Sequence, residues 1–277
     1  MLPSYNNLTN VYMANKNEKP LFLLSSDTLS SYGLDLVFDV AKESWYDGVD
    51  LALWKNFDAW NTSYVKKLVS KHEVPVKVVQ ISDNVNIKEM HKALDVCEAV
   101  GADTIAINAP KIFNIKAYTY LNDNLKKLRD EYPHIKFTII NPEDTTLFAL
   151  PIPKYRFANV VEIIKKYGSY LGLDVSNLDA DAFEDDFMRK LAQFIPYTSV
   201  VYFSDKTKLG KWHVLPGDGV LKLQPFLKKL KVAWYDRYFS TKLVLDKKDL
   251  ADWDKVVTIL TQAREYYKKN FEDIKWE

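Results

Sequence analysis

The chain has 277 residues, 47% hydrophobic and 27% charged, a balance that excludes wholesale disorder. Thirty-eight Lys and Arg against 37 Asp and Glu leave a formal net charge of +1, so no overall field holds a polyanion, and nucleic acid is not an expected partner. No stretch nears the roughly 18 consecutive apolar residues of a membrane helix. A start without a signal-peptide pattern and a single cysteine, Cys97, fit a reducing cytoplasm.

Residues 1–19, polar from Asn7 to Lys19, read as a leading arm. Short, largely apolar β-branched runs then alternate with segments of helical period. The order predicted is strand Leu21–Ser25 and helix Leu34–Ser44, strand Gly48–Leu53 and helix Tyr64–Lys71, strand Val76–Ile81 and helix Ile87–Val100, strand Thr104–Asn108 and helix Tyr120–Tyr132. Strand Lys136–Asn141 and helix Ala158–Tyr167 follow, then strand Tyr170–Val175 and helix Phe183–Phe194, strand Ser199–Ser204 and helix Pro225–Lys231, and strand Tyr238–Leu245 and helix Trp253–Lys269. Eight strand–helix units in about 250 residues is the arithmetic of an α/β protein of the (β/α)8 or TIM-barrel type, here as one domain over residues 1–277. An open doubly wound sheet is the rival. The scattered glycines lack the Gly-rich phosphate fingerprint that such a sheet uses for dinucleotides.

A barrel of this type does its chemistry where the strands end. That rule selects Trp54 after the second strand, Gln80 to Asp83 at the third, Asn108 at the fourth, and Asn141 with Glu143 and Asp144 at the fifth. It adds Asp174 and Asn177 at the sixth, Tyr202 and Asp205 at the seventh, and Ser240 and Lys242 on one face of the eighth. Asparagines at these ends suit the hydroxyls of a polyol. Trp54, Phe57, Trp60 and Trp212 have faces on which a sugar stacks, though most aromatics simply pack. His213 is the one histidine of four placed near the mouth and so the candidate imidazole acid or base. The turn Gly217-Asp218-Gly219 reads as backbone geometry, and Cys97, among apolar neighbours on a helix, as inert burial.

The run Trp45-Tyr-Asp-Gly-Val-Asp-Leu51 resembles the second strand, G-Y-D-x-I-E-L, of the xylose isomerase-like TIM-barrel superfamily of sugar-phosphate isomerases and epimerases, which also includes endonuclease IV. His213-Val-Leu-Pro-Gly-Asp-Gly219, followed by Phe226-Leu-Lys-Lys-Leu230 and Tyr235-Asp236, resembles that superfamily's H-x-x-P-G-E-G, F-L-x-x-L and G-Y-D-G in the same order. The likeness runs from the second strand to the eighth.

The resemblance implies a divalent metal held by a Glu on strand five, an Asp on strand six, a His on strand seven and a Glu on strand eight. The corresponding residues are Asn141, Asp174, Tyr202 and Lys242, and one ligand of four remains. An amide, a phenol and an ammonium beside one carboxylate do not make a useful divalent site, since Lys242 brings positive charge where the ion would sit. No cofactor is therefore expected. The runner-up is Mn, Mg or Zn at Asp174, with Glu143, Asp144 or Asp246 restoring carboxylates if the correspondence is shifted. Asn177 corresponds to the superfamily's His three residues after the Asp, and Asp205 to the Asp of its H-x-K-D.

Lys242 is expected to face the mouth, because an ammonium turned toward the outer helices is costly. Its structural reading is an ion pair with Asp174 in the space of the metal. Its functional readings are a fixed cation for an enolate, phosphate or carboxylate, or an amine forming a Schiff base. The function expected is that of a sugar or sugar-phosphate isomerase or epimerase-like protein acting on a small polyhydroxylated carbonyl compound. Lys242, Asp174, Glu143 and His213 are the candidate catalytic groups, and Asn141, Asn177, Tyr202, Asp205, Asn108 and Trp54 the candidate binding groups. The alternative is a catalytically inactive ligand-binding protein of the same fold. A repair endonuclease, which needs several zinc ions and a basic surface, fits poorly. The partner expected is a small sugar or sugar phosphate, with neither nucleic acid nor membrane; homo-oligomer formation stays open.

Overall fold

The computed structural model describes residues 19–110, 114–142, 146–147, 150–151, 164, 168–178 and 187–274. Eight parallel strands close on themselves: β1 (Leu21–Ser25), β2 (Gly48–Ala52), β3 (Val76–Ile81), β4 (Thr104–Asn108), β5 (Lys136–Ile140), β6 (Tyr170–Asp174), β7 (Thr198–Phe203) and β8 (Tyr238–Thr241). β1 pairs with both β2 and β8, which closes the cylinder. The expected (β/α)8 barrel is therefore what forms. The leading arm and most of the helix expected at Ala158–Tyr167 lie outside the described residues.

Between the strands run α1 (Leu34–Glu43), α2 (Thr62–His72), α3 (Ile87–Val100), α4 (Ile115–Glu131), α5 (Met188–Phe194), α6 (Leu223–Val232) and α7 (Trp253–Tyr267). Their starts are capped as the sequence dictates: the side chains of Asn61, Asn86, Asn114 and Asp252 accept from backbone N–H groups in the first turns of α2, α3, α4 and α7. Each such cap stabilises its helix by about 1 kcal/mol. None of the described helices is long and apolar enough to cross a membrane.

Two apolar layers follow from strand alternation. One set of side chains packs outward against the helices, and the other, Leu23, Val78, Ala106, Ile140, Val200 and Tyr202, fills the cylinder. On the outer side Phe22 of β1 stacks on Tyr267 of α7, ring centroids 4.3 Å apart, and Phe239 of β8 lies 4.9 Å from the same ring. Phe203 of β7 meets Phe239 edge-on at 6.3 Å. Such pairs add about 0.5–1.5 kcal/mol each beyond the area they bury. They fix β1, β7 and β8 against one helix, and those strands lead into Asp27, Tyr202 and Lys242.

β8 is shorter than the expected Tyr238–Leu245. After Thr241 the backbone leaves the sheet: Leu243 N donates to Thr28 Oγ1, and Val244 N to His213 O. The strand's polar end is thereby tied to two loops at the C-terminal mouth.

Candidate active site at the C-terminal mouth

Asp174 ends β6 and is 1% exposed. Its Oδ1 accepts from Ser176 N at 3.2 Å and Ser176 Oγ at 2.9 Å, the geometry of a carboxylate capping the short turn Val175–Asn177. Oδ2 lies 3.8 Å from His213 Nε2, beyond hydrogen-bond reach.

His213 stands between two hydroxyls, with Nδ1 3.0 Å from both Ser176 Oγ and Ser204 Oγ. Burial lowers its pKa below the ordinary histidine value, partly opposed by the Asp174 carboxylate, while Lys242 lowers it further. At pH 7 it is a neutral imidazole, so the Asp174–His213 approach is not an ion pair. With Ser176 Oγ committed to Asp174, the network is best satisfied when Ser204 donates to Nδ1 and the Nε2–H faces Asp174. His213 also has φ 55°, a left-handed conformation costing a residue with a Cβ about 1–2 kcal/mol. Strain of this kind persists where surrounding bonds over-determine it, as the Val244 N bond to His213 O does here.

Asn141, just past β5, exchanges both ends of its amide with the backbone of Asp174: Nδ2 donates to Asp174 O at 3.1 Å, and Oδ1 accepts from Asp174 N at 2.6 Å. A carboxylate at this position cannot make the first of these bonds. Asn177 donates from Nδ2 to Asn141 O at 2.9 Å. The candidate binding amide Asn141 is thus a brace between strand ends, and Asn177 keeps a buried Oδ1 without a partner among the described residues. Asn108 ends β4 and donates to Ile81 O on β3. Trp54 lies half-buried after β2. Glu143 and Asp144 lie outside the described residues.

Asp205 is 1% exposed, and its carboxylate is saturated by backbone: Oδ1 accepts from Lys206 N and Leu221 N, and Oδ2 from Gly217 N. It holds the segment that carries His213. The turn expected at Gly217–Gly219 is real and tight: Gly217 has φ 97°, and a Cβ on Gly219 would stand 2.1 Å from Asp205 Oδ1. Asp205 thus organises the loop.

Lys242 reaches the mouth as expected, 16% exposed, but its partner is Asp27 in the loop after β1, at 3.4 Å, and not Asp174. Asp27 also meets Lys55 at 3.3 Å, so one carboxylate is shared by two ammoniums. β1 and β8 are adjacent only because the barrel closes, which brings residues from opposite ends of the chain together. The alignment of strand ends alone does not reveal that pairing.

A further group, Asp50, lies below Lys242. It is fully buried in the middle of β2, where Oδ2 accepts from Gln80 Nε2 at 2.6 Å and Ser240 Oγ at 2.7 Å; Gln80 Nε2 also donates to Ser25 Oγ. Burial pushes its carboxyl up to about 7, against the two hydrogen bonds and the Lys242 charge; Asp27 adds to the rise. Tyr202 is fully buried as well, and burial, with the charges of Asp50, Asp174 and Asp27, keeps its phenol protonated far above its usual range. Asp50 had a signal in the sequence: an acid inside Gly48-Val-Asp-Leu-Ala52 must face the barrel interior, the argument that placed Lys242.

The donor set does not fit the metal that the resemblance implies. Asn141 has both amide ends engaged, Tyr202 keeps its proton, and Lys242 is a cation. Among the described residues no three His, Cys, Asp or Glu side chains gather as a metal would require.

No family model and no curated protein matches this chain. Among solved structures it is similar to the IolI protein with a binding zinc atom, at 15% identity and TM-score 0.68, covering 91% of this chain and 99% of that one. It is also similar to a xylose isomerase domain protein from Alicyclobacillus acidocaldarius, at 16% identity and TM-score 0.69, covering 92% and 98%. For L-ribulose 3-epimerase the values are 12%, 0.66, and 91% and 95%. The chain therefore has the fold of the xylose isomerase-like TIM barrels.

Proposed function

We propose that this protein is a sugar or sugar-phosphate isomerase or epimerase-like enzyme working without a divalent metal, with Lys242 supplying the positive charge at its mouth. The observation that carries this reading is the position of Lys242, on the barrel interior just past β8 and paired to Asp27 at 3.4 Å. A fixed ammonium there stabilises an oxyanion without any metal ligand.

The substrate is a small polyhydroxylated carbonyl compound. Its carbonyl oxygen lies against Lys242, and Asp174 Oδ2 takes the proton from the adjacent carbon. The C–H bond breaks, an O–H bond forms on Asp174, and the electron pair moves to the carbonyl oxygen as an enolate. The proton then returns to the same carbon, or, once the hydroxyl proton of that carbon has passed to the enolate oxygen, to the carbon that bore the carbonyl. His213, neutral and oriented by Ser204, presents Nε2–H to Asp174 and steadies its charge. Glu143, on the adjoining segment, is the alternative base. The setting is cytoplasmic, where the buried Cys97 stays a thiol; no nucleic acid or membrane takes part.

The similarity of fold to L-ribulose 3-epimerase and to a D-tagatose 3-epimerase-like protein supports the choice of chemistry. A second reading, a ligand-binding protein without turnover, is favoured by Asn141, which stands where the resembled family has a carboxylate and whose amide braces the backbone of Asp174 at both ends.

The test is solvent-hydron exchange: pentoses, hexoses and their phosphates incubated with the protein in D2O and followed by proton NMR. Deuterium should enter next to the carbonyl of at least one compound, with chelator present. Lys242→Met should reduce the rate by roughly 10²–10³-fold, the cost of removing one oxyanion donor. Exchange in no compound, with binding retained, would establish the second reading. Exchange unchanged in Lys242→Met would remove the role of the ammonium.

A further inference from the structure

Trp45 and Trp234 stand at the N-terminal end of the barrel, opposite the mouth. Each lies just past the end of a helix, α1 or α6, in the same backbone geometry. Their φ angles are 60° and 58°. Trp45 N donates to Lys42 O and Tyr46 N to Ala41 O, while Trp234 N donates to Lys231 O and Tyr235 N to Leu230 O. This is the left-handed helix stop that favours glycine, and glycine opens both of the resembled G-Y-D motifs. After α2 and α3 the left-handed residues are Glu73 and Gly101. Tyr46 and Tyr235 turn inward and are buried, whereas the two indoles are 77% and 78% exposed. Left-handed backbone disfavours any side chain with a Cβ, so local geometry does not select tryptophan at either position.

The two indoles flank one place, the entry to β1. This strand lies between β2 and β8, the strands into which the two tryptophan loops lead, so their starts are about 10 Å apart, two strand spacings. The entering chain is bonded to both loops: Leu21 N donates to Arg237 O, Asp47 N to Phe22 O and Phe22 N to Asp47 Oδ2. The end of α7 and the turn after it join the same parts. Arg264 donates from Nε to Trp45 O and from Nη1 to Glu272. Glu272 pairs with Lys19 at 2.8 Å, and Lys231 Nζ donates to Glu272 O.

Residues 1–18 therefore join the barrel between the two tryptophan loops. They carry two charged side chains, Lys16 and Glu18, and the large apolar or aromatic residues Leu2, Tyr5, Leu8, Val11, Tyr12 and Met13. Extended chain from Val11 to Lys19 spans up to about 26 Å, more than the gap between the two strand starts. We infer that residues 1–18 pack across the N-terminal face of their own barrel, with the apolar side chains from Leu8 to Met13 against Trp45 and Trp234. The short tether gives this segment a high effective concentration at the face, which a second copy must overcome. The inference is independent of any reaction at the mouth.

The experiment is limited chymotrypsin digestion of the full chain, with cleavage after Tyr12 followed by mass spectrometry. The key variant is Trp45→Gly/Trp234→Gly, because glycine suits both backbones and the barrel should still form. Cleavage should become severalfold faster in this variant, and its melting temperature should fall. Val11→Ser/Met13→Ser should speed cleavage likewise. It should also raise hydroxyl-radical oxidation of Trp45 and Trp234 severalfold, with Trp212 at the mouth unchanged. Sedimentation should show that protection of Tyr12 in the wild-type protein does not depend on concentration. Equal cleavage in all three proteins, or a melting temperature that holds or rises in the glycine variant, would overturn the inference. Protection that is lost as a dimer dissociates would assign the face to a second copy instead.

Discussion

Asp50→Asn should stabilise this protein at pH 8 and leave it unchanged below about pH 4. The wild-type carboxyl titrates at about 7 because burial outweighs its hydrogen bonds to Ser240 and Gln80 and the nearby Lys242 charge, with Asp27 opposing ionisation further. A raised folded pKa means that the folded state holds the proton more tightly than the unfolded chain. The contribution of Asp50 to stability is therefore fully present below about pH 4 and is lost as the pH rises through about 7. The full span corresponds to an upper limit of about 4 kcal/mol.

An amide at position 50 keeps an oxygen for Gln80 and Ser240 and carries no charge to bury, so it escapes that loss. A gain of several degrees in melting temperature is expected at pH 8, since about 1 kcal/mol moves a protein of this size by roughly 2–4 °C. Thermal unfolding of both proteins from pH 3.5 to 8.5 checks it: the two curves should separate between about pH 4 and pH 7 and keep a constant gap above. Parallel curves would mean that Asp50 is not charged against its surroundings.

The second large effect is expected at Asp205. Its carboxylate answers the N–H groups of Lys206, Gly217 and Leu221, and Asp205→Ala leaves all three without that acceptor, Leu221 N in a buried place and the other two in partly buried ones. With each orphaned donor costing about 1–3 kcal/mol, the segment from Asp205 to Leu221 should give way before the barrel does. Amide hydrogen exchange should show that segment unprotected and the barrel strands unaffected. His213 travels with the segment, so the variant should also lose solvent-hydron exchange. Retained protection at Gly217 and Leu221 would show that other groups hold the loop.

Much of the barrel was legible because its strands are short apolar runs between helical periods. β1, β3 and β4 have the boundaries that the hydrophobic pattern predicts. The pattern over-extended β8, because Leu243 and Val244 look like strand residues while their N–H groups are claimed by Thr28 and His213. The site was legible in part. The rule that polar residues at strand ends face the mouth placed Asp174, Tyr202 and Lys242. It did not show that Asn141 and Asp205 spend their polar atoms on backbone, which depends on bonds to strands and loops distant in sequence. Nor did it show that Lys242 pairs with Asp27, a contact made by closure of β1 on β8. Asp50 escaped notice because one acid in an apolar strand matched the resembled motif, and a motif residue invites no question about what it faces.

In the proposed function an ammonium of the chain stands at this mouth where an inorganic cation would sit. The decisive experiment is a crystal structure of the protein grown with Mn2+ and Zn2+, with anomalous data at both edges. Lys242 Nζ is expected against Asp27 at the mouth, with no anomalous peak at Asp174. A divalent ion bound to Asp174 with Lys242 turned away would contradict it.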